Sequence, residues 1–128
     1  MTQILLIEDE VQLQSLYQRF LKEAGFQVIS TNSGKSAFEI LAQIHVDLLI
    51  TDILMPEMDG IEIICHLRTM NNPPPVIAIS GGGIYLQKRN LLEMAKEFGV
   101  QHTLCKPFTQ DELLETVKKA LGNSQVIQ

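Results

Sequence analysis

The 128-residue sequence predicts one domain with an α/β fold, a doubly wound parallel sheet of five strands. Short apolar segments alternate along the chain with segments that have the 3.6-residue period of amphipathic helices. The apolar segments are hydrophobic throughout rather than at every second residue, as expected of strands covered by helices on both faces. A chain of this length can also bury a substantial core.

The five predicted strands are too short to be core helices, and they occupy residues 3–7, 26–31, 46–51, 75–80 and 102–105. The fourth is entered through prolines, which a strand tolerates at its start. Helices are predicted between and after the strands, at 10–25, 34–44, 61–70, around 86–99, and from 109 to 121.

Local signals mark where some of these helices begin and end. Gly25 is expected to stop the first helix, and Thr109 and Glu112 form a capping box that opens the last one. Gly122 is expected to close that last helix. The chain is therefore predicted to consist of a domain at 1–121 and a C-terminal tail at 122–128.

Composition narrows the classes of function. The chain is 45% hydrophobic and 20% charged, with a net charge of −5. It has no cluster of Lys or Arg, which argues against a nucleic acid or a membrane as its direct partner. The N-terminus lacks the pattern of a signal peptide and no apolar run reaches transmembrane length, which predicts a cytoplasmic protein. Cys65 and Cys105 lie in apolar segments and are expected to be reduced core residues.

Polar residues follow the predicted strands where each one ends. In doubly wound sheets this edge gathers the functional groups, and it holds Glu8, Asp9, Glu10, Asp52, Ser80 and Lys106. Clustered carboxylates repel one another unless a cation such as Mg²⁺ joins them. Lys106 and Ser80 would complement a phosphoryl group, and the central Asp52 is then the natural nucleophile of an acyl-phosphate intermediate.

Four segments carry a family resemblance, in order: "IEDE", "TDILMPEMDG", "ISG" and "CKPF". Together they resemble a response-regulator receiver domain over about residues 3–121. The resemblance implies a flavodoxin-like (βα)5 receiver fold, and a protein that is a signalling domain rather than an enzyme, assisting only its own phosphoryl transfer and dephosphorylation.

By this resemblance, Asp52 would accept a phosphoryl group from a histidine kinase or a histidine phosphotransfer protein. Asp9 would bind Mg²⁺ directly, Glu8 would act through a water, and the backbone carbonyl of Leu54 would supply another ligand. Lys106 would pair with the phosphoryl oxygens.

The resemblance also implies roles in switching. Ser80 would swing toward the phosphoryl group, Gly81 would leave room for the phosphodonor, and Pro107 would follow a cis peptide bond. Phosphorylation would then alter the face formed by the fourth helix, fifth strand and fifth helix, where an unidentified output protein or a second copy would bind. The chain is expected to be a stand-alone receiver or to have been trimmed from a larger regulator.

Three features depart from the family pattern. Glu8 replaces the usual aspartate, Thr103 replaces the usual switch aromatic, and the Gly81–Gly83 stretch lengthens the loop after the fourth strand.

Three other functions are alternatives to a receiver. A phosphohydrolase of the haloacid-dehalogenase type would need a second aspartate at Leu54, and a flavin or nucleotide binder would need a phosphate loop where the acidic "EDE" stands. A docking module without phosphorylation is disfavoured by the intact Asp9, Asp52, Ser80 and Lys106.

Overall fold

Five parallel strands form one sheet in the computed structural model, which describes residues 1–53, 60–80, 93, 97 and 99–125. The strands lie in the order β2-β1-β3-β4-β5. Their bounds are β1 Gln3–Ile7, β2 Gln27–Thr31, β3 Leu48–Asp52, β4 Val76–Ser80 and β5 His102–Cys105. This is the flavodoxin-like order, with the reversal of strand order between β1 and β3. The predicted fold class is confirmed.

Four helices are described around the sheet: α1 Val11–Glu23, α2 Gly34–Gln43, α3 Gly60–Leu67 and a C-terminal helix Gln110–Gln125. After α1 the chain turns at Gly25, whose φ of +95° suits glycine. Most of the predicted fourth helix, around 86–99, lies outside the described residues. No helix in the described part of the chain is both long and apolar enough to cross a bilayer.

The C-terminal helix confirms its predicted start and corrects its predicted end. Thr109 N donates to Glu112 Oε1 at 2.9 Å and Glu112 N donates to Thr109 Oγ1 at 3.1 Å, the two bonds of a capping box. The helix does not stop at Gly122 but continues to Gln125. A glycine lowers helix propensity by about 1 kcal/mol without forcing an end. The division into 1–121 and 122–128 remains a prediction.

Side chains alternate across each strand, so the sheet has an apolar layer on either face. Ile4 and Leu6 of β1 pack with α1 and the C-terminal helix. Leu5 and Ile7 pack instead with α2 and α3. These are the two helical layers that the continuous apolar strands predicted.

The two cysteines are free, as predicted, but the expectation that they are core residues was wrong, because both are exposed. On α3, Ile63, Ile64 and Leu67 are the residues that face the core, and Cys65 lies on the outer side of that helix. In β5, Leu104 points inward and is 8% exposed, so its neighbour Cys105 points the other way. Apolar surroundings in sequence did not distinguish the two faces.

Candidate functional site

The carboxyl ends of four adjacent strands converge at one edge of the sheet. Asp52 of β3 pairs with Ile79 of β4, and Ser80 of β4 pairs with Cys105 of β5. Backbone pairing continues past these residues, since Lys106 N donates to Ser80 O at 2.8 Å. Parallel pairing therefore places Asp52, Ser80 and Lys106 on successive strands at the same edge.

Lys106 links two buried carboxylates. Its Nζ lies 2.8 Å from Asp52 Oδ2 and 2.9 Å from Glu8 Oε1. Burial by itself lowers the pKa of the Lys106 ammonium, but the hydrogen bonds and negative charges of Asp52 and Glu8 outweigh burial and hold that pKa above its usual range. Lys106 is therefore a fixed positive charge at the centre of the site.

A third carboxylate, that of Asp9, lies close to the two that Lys106 contacts. Oxygens of Glu8, Asp9 and Asp52 lie within 4.8 Å of one another. Glu8 is 1% exposed and Asp52 is 6% exposed, whereas Asp9 reaches solvent. Desolvation raises the pKa of Glu8, against the opposing effect of Lys106. Among the described residues, the site therefore contains three carboxyl groups and the ammonium of Lys106, and an all-oxygen set of this kind suits a hard divalent cation such as Mg²⁺.

The junction between β1 and α1 is held by bonds that sequence reasoning did not identify. Glu10 N donates to Glu8 Oε2 at 3.1 Å, and Gln14 Nε2 donates to the backbone oxygen of Glu8 at 3.0 Å. A polar residue in the first turn of an amphipathic helix is ordinary, so the sequence carried no signal for Gln14.

The structure describes some of the other predicted site residues but not all of them. Ser80 is 3% exposed at the end of β4, and Thr103 is partly buried in β5, opposite Ala78. The Lys106–Pro107 peptide bond is cis, as the resemblance implied. The predicted Leu54 carbonyl ligand and Gly81 lie outside the described residues.

An apolar depression opens beside Lys106. Its walls include Leu13, Leu16, Tyr17, Pro107 and Phe108. The rings of Tyr17 and Phe108 stack with centroids 4.7 Å apart, which joins α1 to the segment after β5. An apolar surface therefore borders the charged site directly.

Comparison with known proteins gives one consistent match. Residues 4–118 match the family model described as response regulator receiver domain. The chain is 33% identical over 124 residues to the transcriptional regulatory protein CpxR of Escherichia coli K12, covering 97% of this chain and 51% of CpxR. It thus spans about half the length of that relative.

Solved structures show the same fold. The receiver domain of the Francisella response regulator 1452 superposes with a TM-score of 0.81 at 26% identity, covering 97% of this chain and 99% of that one. A response regulator receiver domain protein from Clostridium thermocellum gives a TM-score of 0.89 at 23% identity, with both chains fully covered.

Proposed function

Because this chain belongs to the response regulator receiver domain family, we propose that it accepts a phosphoryl group on Asp52 and thereby switches the binding of an output partner. The donor would be a phosphohistidine on a histidine kinase or a histidine phosphotransfer protein. The observation that supports this most directly is the placement of Lys106 Nζ 2.8 Å from Asp52 Oδ2, within a cluster of three carboxylates.

The proposed transfer exchanges one bond to phosphorus for another. A carboxylate oxygen of Asp52 attacks phosphorus, the phosphorus–nitrogen bond of the donor breaks, and the imidazole nitrogen retains the electron pair and takes a proton from solvent. Charge on the phosphoryl oxygens must be stabilised throughout. The Lys106 ammonium, already beside Asp52, is placed to do this on one oxygen.

Glu8, Asp9 and Asp52 would hold Mg²⁺, with the Leu54 carbonyl as a further proposed ligand. The donor set fits, because all three side chains offer carboxylate oxygens that lie within 4.8 Å of one another. When bound, Mg²⁺ would neutralise charge shared between the Asp52 carboxylate and the phosphoryl oxygens.

Ser80 and Thr103 would carry the signal outward. Ser80 sits at the end of β4 beside Lys106, and Thr103 lies on the neighbouring strand. A phosphoryl group adds about −1.5 to −2 charges, which would draw the Ser80 hydroxyl toward Asp52. The response would bias two conformations of the face that binds the output partner or a second copy. The cytoplasmic location remains a prediction.

Phosphorylation can be tested with a small phosphodonor. The protein is incubated with acetyl phosphate and Mg²⁺, and its intact mass is measured. One alkali-labile phosphoryl adduct is expected, and it should disappear with EDTA or in Asp52→Asn. Asp47→Asn is the matched control, since Asp47 lies before β3 at the opposite end of the sheet. An adduct that persists in folded Asp52→Asn, or none in the wild type, would refute the proposal.

A further inference from the structure

We propose that Gln14 is a positioning residue: its side-chain amide holds the backbone that carries Asp9 and thereby sets the affinity of the acidic cluster for Mg²⁺. The inference rests on the proposed function, which assigns Mg²⁺ to Glu8, Asp9 and Asp52. It concerns a residue of α1 outside that cluster.

The first part of the argument is the peptide plane that precedes Asp9. Glu8 lies one residue beyond the end of β1, and its N–H continues the ladder by donating to Thr31 O at 3.0 Å. Its carbonyl belongs to the peptide plane between Glu8 and Asp9, and Gln14 Nε2 donates to that oxygen at 3.0 Å. Gln14 therefore fixes the orientation of the plane from which Asp9 begins.

The second part is the peptide plane that follows Asp9. Glu10 N belongs to it and donates to Glu8 Oε2 at 3.1 Å. Asp9 is thus flanked by two peptide planes, each held by a side chain. Its own carboxylate reaches solvent, yet it lies within 4.8 Å of those of Glu8 and Asp52. Backbone placement, rather than burial, therefore determines where this carboxylate lies.

Gln14 is well placed to act as a rigid support. It is the fourth residue of α1, and its own N–H donates to Glu10 O at 2.9 Å, which anchors the side chain in the first helical turn. Gln14 is half-buried, whereas Gln12 on the same turn is exposed. Without the Gln14 amide, the plane before Asp9 would lose its side-chain bond and only the Glu8 bond to Glu10 would remain. The Asp9 carboxylate would then be less well preorganised to bind Mg²⁺.

The test compares two methionine substitutions by calorimetric titration with Mg²⁺. Gln14→Met keeps the length and helix propensity of the side chain but removes the amide donor. Its Kd for Mg²⁺ is expected to rise about tenfold, as for the loss of other groups that orient metal ligands. Gln12→Met should leave the Kd unchanged. Gln14→Asn, whose amide is withdrawn by one methylene, should give an intermediate Kd and serves if Gln14→Met does not fold.

Two readouts separate positioning from a purely structural role. Chemical unfolding reports stability, and a folded Gln14→Met that is less stable but binds Mg²⁺ with unchanged affinity would overturn the inference. The rate of phosphorylation by acetyl phosphate should fall at limiting Mg²⁺ and return to the wild-type value at saturating Mg²⁺. A deficit that persists at saturation would also overturn it. If the wild type takes no phosphoryl group, the proposed function fails while the Mg²⁺ titration still decides the role of Gln14.

Discussion

The two ends of the parallel sheet use carboxylates in opposite ways. At the amino end, Asp47 Oδ2 accepts a hydrogen bond from Gln3 N at 2.8 Å, and Asp47 Oδ1 lies 2.9 Å from His45 Nε2. At the carboxyl end, the Lys106 ammonium pairs with Glu8 and Asp52, and an oxygen of Asp9 lies within 4.8 Å of both of these carboxylates. A carboxylate matched by local donors supports the fold, whereas carboxylates left in excess are available to a cation and a phosphoryl group.

Burial makes this difference energetically important. The side chains of His45 and Asp47 are 85% and 34% exposed, so water screens their interaction. The Lys106 side chain is 14% exposed and that of Glu8 only 1%, where charges interact more strongly and are costly to leave unpaired. Substitutions at the carboxyl end should therefore affect stability more than those at the amino end.

The largest effect is expected from Lys106→Met in metal-free protein. The substitution removes the ammonium that pairs with the buried Glu8 and Asp52, and the free energy of unfolding at pH 8 should fall by about 3 kcal/mol. Lys119→Met is the matched control, because Lys119 forms an exposed pair with Glu115 at 3.3 Å, worth about 0.5 kcal/mol or less. Urea unfolding measures both, and equal losses would contradict the proposed contrast.

The stability difference between the wild type and Lys106→Met should depend on pH. Burial lowers the pKa of Lys106, but its hydrogen bonds and charge interactions with Asp52 and Glu8 outweigh burial and raise that pKa above the ordinary 10.5. Because the charged form is favoured in the folded state, its contribution to stability is complete below pH 10.5 and is lost as the pH rises further. The difference between wild type and Lys106→Met should therefore narrow above pH 10.5. A difference that stays constant there would mean that the charge of Lys106 is not what stabilises the site.

Binding of Mg²⁺ at the carboxyl end should raise the free energy of unfolding by less than Lys106→Met lowers it. A ligand that binds only the folded state at ten times its Kd raises the free energy of unfolding by about 1.4 kcal/mol. Urea unfolding with and without Mg²⁺ measures the gain, which EDTA should reverse and Asp9→Asn should reduce. Asp47→Asn should leave the gain intact. A gain that is unchanged in Asp9→Asn would place the cation elsewhere.

Much of the fold and of the site's composition could be predicted because both follow from local patterns. Continuous apolar runs such as 3–7 identify strands buried on both faces, and parallel strands must bring their carboxyl ends to one edge. The convergence of Asp52 and Lys106 needed only that topology. Neither residue had to be close to the other in sequence.

What could not be predicted depends on the exact placement of side chains. The resemblance assigned Lys106 to phosphoryl oxygens, whereas the structure also shows its contact with Glu8. The Gln14 bond to the Glu8 carbonyl requires the path of the junction between β1 and α1. The exposure of Cys65 and Cys105 depends on which face each one occupies, which an apolar neighbourhood in sequence does not specify.

The smallest effects are expected at the amino end, where they test whether Asp47 supports structure alone. Asp47→Ala removes the acceptor for Gln3 N and should lower the free energy of unfolding by about 1 kcal/mol. His45→Ala removes an exposed pair and should lower it by about 0.5 kcal/mol or less. Asp47→Asn keeps an oxygen that can accept from Gln3 N and should resemble His45→Ala. All three should bind Mg²⁺ and take up phosphate as the wild type does. If Asp47→Ala instead weakened Mg²⁺ binding as much as Asp9→Asn, the two ends would be coupled, and the division between a supporting and a reactive end would fail.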